Sequence, residues 1–308
     1  MIARFAVTAT LALGLASCGI FAGDDENTPT IGNRVAVLPG ETGIETDVAL
    51  ADTPVVLPAP APNTDWGQPG GGPAKSPGHV ALSQTPTRAW VASIGDGSDG
   101  AAHLVSTPVV EQGRVHTIDT RARISAFDAQ SGRTLWTRTL SREGENARAA
   151  FGGGVSVFGG RVYATSGYGI AVVLNAADGS VVWRQQLDVP LRGAPTVSGG
   201  IMLVMTQDNQ LLALDAGTGE RSWDVIGTVE PAGLLGAASP AVAQGTAIVG
   251  FSSGELTAVR MENGRTVWQD ALARTGRTTS LAALSDIDAP PVIDGGRVFA
   301  IGHGGRMV

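Results

Sequence analysis

Five tryptophans, Trp90, Trp136, Trp183, Trp223 and Trp268, follow one another at intervals of 46, 47, 40 and 45 residues. Four of them close nearly the same phrase: DAQSGRTLW (128 to 136), NAADGSVVW (175 to 183), DAGTGERSW (215 to 223) and RMENGRTVW (260 to 268). A repeat of 40 to 50 residues in a strand-rich chain predicts an all-β fold of the β-propeller type, in which each repeat is one blade. Glycine supplies 43 of 308 residues and no long amphipathic helical pattern occurs, which suits short strands joined by tight turns.

A second phrase brings the units into register. It reads TPVVEQGRVHTI (107 to 118), GVSVFGGRVYAT (154 to 165), APTVSGGIMLVM (194 to 205), SPAVAQGTAIVG (239 to 250) and PPVIDGGRVFAI (290 to 301). Together the phrases predict four antiparallel strands per unit. In the D-A-x-[ST]-G turn an aspartate accepts backbone N–H groups and the glycine supplies a positive φ, so these residues are structural. The tryptophan is expected to pack over its own blade and against the next. The last unit begins near Asp288, and the next tryptophan would fall near position 313, beyond Val308. The expectation is therefore an incomplete arc of about four to five four-stranded blades.

The chain opens with Arg4 and an apolar run, Phe5 to Leu15, too short to span a bilayer and typical of an export signal. The string Leu15-Ala16-Ser17-Cys18 before Gly19 resembles a bacterial lipobox; the alternative is an ordinary signal with an incidental cysteine. The lipobox implies cleavage before Cys18, lipidation of Cys18, and anchoring to the periplasmic face of the outer membrane. Three segments are expected: a signal peptide (1–17), a lipidated cysteine with a flexible Pro/Gly-rich tether (18–83), and propeller repeats (84–308). Within the tether, 34–38 and 80–82 are apolar enough to lend a strand.

Composition excludes several functions. The net charge is −7, and the cations, twenty arginines and Lys75, form no stripe, which argues against a nucleic-acid partner. With Cys18 alone, no intramolecular disulfide can form. His79, His103, His116 and His303 lack metal-ligand spacing. The G-x-G-x-x-G match at 95–100 is followed by a β-branched, proline-containing stretch, so it lacks the helix a dinucleotide site needs. No G-x-S-x-G elbow is present. In LSDIDAPP (284 to 291) an extended backbone would project Asp286 and Asp288 to one side. They read equally as a small acidic feature or as turn acids capping loop N–H groups.

Taken together, the D-A-x-T-G-x-x-x-W repeats, the lipobox and the string TGRTTSLAALSDIDAPPVI (275 to 293) resemble the BamB family, lipoproteins of the outer-membrane β-barrel assembly (BAM) machinery. The resemblance implies an eight-bladed, quinoprotein-like propeller without catalysis or cofactor. It implies a scaffold that binds the periplasmic POTRA region of BamA beside other BAM subunits, and assists the folding and insertion of outer membrane proteins, with unfolded outer membrane proteins as further partners. By the same resemblance the partner-binding residues are Asp286, Asp288 and the loop AGLLGAASP (232 to 240). There Leu234 matches the second leucine of the family's L-x-L-R-G, Leu235 stands where an arginine is usual, and Ala232 replaces a leucine. The L-R-G in PLRGAP (190 to 195) offers Arg192 as a fallback, one unit earlier. The repeat is shared with quinoprotein dehydrogenases, so the alternative is a periplasmic PQQ-dependent dehydrogenase needing Ca²⁺ and, in that family, a vicinal cysteine pair that this sequence lacks. A propeller lipoprotein binding another envelope partner is a third reading.

Overall fold

Apolar runs such as IAVVL (170 to 174) and IMLVM (201 to 205) have no polar alternation, the signature of strands buried on both faces. The computed structural model describes residues 48–229, 236, 238–272, 286–303 and 307–308. The chain divides into two units, Met1–Val56 and Leu57–Val308. The described part of the first contains one short 3-10 turn, Val48–Leu50, with all three residues exposed.

The second unit holds the repeats, as antiparallel sheets in simple up-and-down order. The first blade comprises β1 (Val109–Glu111), β2 (Arg114–Ile118), β3 (Arg123–Asp128) and β4 (Thr134–Thr139). The second comprises β5 (Val155–Phe158), β6 (Arg161–Thr165), β7 (Ile170–Asn175) and β8 (Val181–Gln186). The third comprises β9 (Leu191–Ser198), β10 (Ile201–Thr206), β11 (Gln210–Asp215) and β12 (Arg221–Ile226). The fourth comprises β13 (Ala241–Ala243), β14 (Thr246–Gly250), β15 (Glu255–Arg260) and β16 (Thr266–Ala271), and a fifth sheet is the pair β17 (Val292–Asp294) and β18 (Arg297–Phe299). The first strand of each sheet contacts the first strand of the next, so these strands are innermost, and the fourth strands are largely exposed.

Period-two alternation assigns each side chain to one of two blade interfaces. Along β7, Ile170, Val172 and Leu174 enter the core shared with the first blade, whereas Ala171 and Val173 enter the core shared with the third. Along β10, Met202 and Val204 face backwards and Leu203 and Met205 face forwards. Each sheet is thus the filling between two apolar layers, which a single blade cannot supply for itself.

The tryptophans close these interfaces. In each four-stranded sheet the register shifts just before the tryptophan, for example between Val173 and Leu174 opposite Trp183, a bulge that re-aims the indole. The Nε1 groups of Trp90, Trp136, Trp183 and Trp223 donate to the carbonyls of Ala129, Ala176, Ala216 and Met261 in the turn of the following blade, at 2.9 to 3.1 Å.

The stretch 18–83 reads from composition as a tether, but between Trp66 and Ser76 it is fixed to the propeller. It crosses the five innermost strands, bonding the same position of each. Trp66 pairs with Val110 through two backbone bonds of 2.7 and 2.8 Å. The amides of Val157, Val242 and Ile293 donate to the carbonyls of Gly67, Pro73 and Ala74 at 2.6, 2.8 and 2.9 Å. Val197 instead meets a side chain: buried Gln68 donates Nε2 to its carbonyl at 2.8 Å and accepts its N–H at 3.2 Å. The free inner edge of the sheets is thereby capped rather than left as unpaired backbone. Glycine permits the approach, since a Cβ on Gly67 would stand 2.5 Å from the Val157 carbonyl oxygen. Farther along, Val80 forms one parallel bridge with Ala61, while Leu82 stays 82% exposed.

Candidate docking face

The connections that lead from the outer strand of one blade into the inner strand of the next carry the residues of interest. Cys18, Leu234 and Leu235 lie outside the described residues, as does the whole of 230–235 together with residue 237. Arg192, Gly236, Asp286 and Asp288 are described.

Ile287 is the anchor of the acidic segment. It is 3% exposed, packs with Ile248, Leu256, Ala258, Leu272 and Ala300, and its amide donates to the Phe251 carbonyl at 3.3 Å. The segment therefore descends into the interface between the fourth and fifth sheets. Asp286 is buried, at 1% exposure, with its carbonyl accepting the His303 amide at 2.8 Å. Asp288 is half-buried and its carboxylate lies directly over Gly236, where any Cβ would collide with it. The two acids do not form an equally exposed pair: Asp288 is the one that presents a carboxylate.

Arg192 joins this group from the preceding blade. It is the second residue of β9, and its side chain crosses to the fourth blade, donating Nε to the Gly236 carbonyl at 3.2 Å and Nη1 to Ser252 Oγ at 2.9 Å. Burial lowers its pKa from the usual guanidinium value, while Asp288 and Asp286 oppose that change. Burial raises the Asp288 pKa, and Asp286 adds to this; Arg192 and His303 pull it down. The site thus combines one guanidinium from the third blade with two carboxylates at the entry to the fifth sheet, joined through Gly236 and Ser252 of the fourth. Ser252 and the reach of Arg192 are not legible from spacing, because a register argument locates Arg192 in a different unit.

Residues 101–108, after the glycine-rich 95–100 loop, form no helix, and the Asp96 amide in that loop donates to Asp119 Oδ2 at 3.0 Å. Among the described residues no group of three or more His, Cys, Asp or Glu side chains could hold a metal ion. No helix among them is long and apolar enough to cross a membrane.

Comparison with known proteins identifies the family and the fold. The family model described as outer membrane protein assembly factor BamB matches residues 78–143 and 120–308. The BamB of Yersinia pestis is 33% identical over 228 residues, covering 72% of this chain and 58% of that protein. The BamB of Escherichia coli K12 is 33% identical over 226 residues, covering 72% of this chain and 57% of that protein. This chain thus spans less than two thirds of the length of those relatives. Among solved structures, BamB from Moraxella catarrhalis superposes with a TM-score of 0.57 at 19% identity, covering 70% of this chain and 63% of that one. Quinohemoprotein alcohol dehydrogenase from Comamonas testosteroni superposes with a TM-score of 0.61 at 18% identity, covering 80% of this chain and 49% of that one. At these identities the structural likenesses establish the quinoprotein-type propeller and nothing of activity. On the family match and the sequence relatives, the chain belongs to the BamB family of outer membrane protein assembly factors.

Proposed function

We propose that this chain is a non-enzymatic scaffold of the BAM complex. In this reading it is held at the periplasmic face of the outer membrane by lipid on Cys18 and docks the POTRA region of BamA through the face around Arg192 and Asp288. The observation that carries the reading is the convergence of Arg192, Gly236 and Asp288, from three blades, on one half-buried patch. A leucine at 235 cannot offer the bidentate contact of a guanidinium. Arg192, reaching over from β9, brings such a group beside Gly236, and the family resemblance adds Leu234 and Leu235 as apolar partner-binding residues. An apolar centre with a polar margin is the usual anatomy of a docking site.

The test is affinity purification of the full-length protein from detergent-solubilised membranes, followed by identification of what co-elutes. BamA and further BAM subunits are the expected companions. Recovery of the protein without BamA, or with a different envelope protein in its place, overturns the reading. Replacement of Cys18 by serine should release the protein from the membrane fraction.

A further inference from the structure

Arg192 and Gly236 also line a cavity of about 260 Å³. Its walls include Val105, Phe151, Pro190 and Leu191, with exposed Ala149 beside them. Gly152 leaves space within it, because a Cβ there would meet nothing nearer than the Leu191 carbonyl oxygen at 3.7 Å. Among the described lining residues Arg192 is the one side chain that is always charged, and its guanidinium already donates to Gly236 and Ser252. Such a lining favours hydrocarbon over an anion or a metal ion. Across Arg192 and Gly236 lies the half-buried carboxylate of Asp288, the acid that this face presents. A ligand spanning both places needs an apolar group for the cavity and a cation for the carboxylate.

We infer that this cavity receives one large apolar side chain of the docked partner, from a segment whose neighbouring arginine or lysine meets Asp288. The inference rests on the docking reading above and adds the chemistry of the docked segment. The side chain acts as the anchor that fixes the partner, because a filled apolar pocket next to a half-buried carboxylate concentrates binding energy in few residues.

The probe is the purified POTRA region of BamA, titrated by fluorescence anisotropy against the full-length protein, Ala149→Trp and Val105→Trp. Ala149 is exposed on a 3-10 turn, so its replacement fills the cavity without entering the blade cores; Val105 tests the opposite wall. Each substitution should raise Kd tenfold or more while leaving the thermal midpoint and the salt dependence of binding as in the unsubstituted protein. Unchanged affinity in both variants overturns the cavity assignment and leaves the docking reading in place. Absence of binding by the unsubstituted protein overturns the docking reading and this inference with it.

Discussion

The indole nitrogen of Trp183 donates to the carbonyl oxygen of Ala216 at 3.1 Å, crossing from the second blade to the turn of the third. The same ring lies on Gly219, whose φ is +81° and whose added Cβ would stand 2.6 Å from it. The tryptophan and the glycine of the repeat are therefore partners in consecutive units, which explains why they recur together in the sequence.

Gly219→Ala should lower stability by about 1 to 3 kcal/mol, from the left-handed backbone and the collision with the ring. Trp183→Ala should cost about 3 to 5 kcal/mol. Because the two residues touch, the double variant should lose less than the sum. Urea titrations of the four proteins measure this coupling, and strict additivity would show that the packing is not shared.

Gln68→Ala should detach the inner segment from Val197. Both the amide and the carbonyl of Val197 lose a partner at a buried position, a loss of about 1 to 3 kcal/mol. Hydrogen exchange should quicken at the Val197 amide, and at Val157 and Val242 if the segment leaves as a unit. Protection unchanged at all three amides would mean that the segment does not cap the sheets in solution.

The blades are legible in the sequence because periodicity and turn chemistry are local. Asp128, Asp215 and their glycines announce turns, and the apolar runs announce doubly buried strands. The inner segment is not legible for the opposite reason. Its glycines and prolines look like a solvated linker, and what orders Trp66, Gly67 and Gln68 is the backbone of strands 44 to 129 residues away. The docking face is legible in part. Spacing brings Asp286 and Asp288 to the start of a blade, but the burial of Asp286 follows from Ile287 entering the core, and the approach of Arg192 follows from the stacking of blades.

Lys75 gives the protein a distinctive alkaline behaviour. Its ammonium group is buried without a hydrogen-bond partner among the described residues, and desolvation lowers its pKa from 10.5 to about 7. Between those values the unfolded chain holds a proton that the folded chain has released, so this residue makes stability rise with pH from about 7 towards 10.5. Lys75→Met should raise stability near pH 7 and flatten that rise, measured by thermal midpoints across the window. A steeper pH dependence in the variant would contradict the assignment.

His116 acts on the acid side. Burial lowers its pKa from 6.5 to about 4, the Ala176 carbonyl opposing the change, so stability should fall as pH drops through that interval. His116→Gln, measured by the same midpoints, should weaken the acid loss; an undiminished loss would place its origin elsewhere.

The most direct test of the docking face is the affinity of the full-length protein for the purified POTRA region of BamA, compared with that of Asp288→Lys. Asp288 is half-buried at the margin of the patch and shares it with Arg192, so reversal of its charge leaves two cations side by side where a cationic partner group is expected. A Kd raised tenfold or more, at a temperature well below the thermal midpoint of the variant, is the expected result. Equal affinity of the two proteins would contradict the assignment of this face as the docking surface.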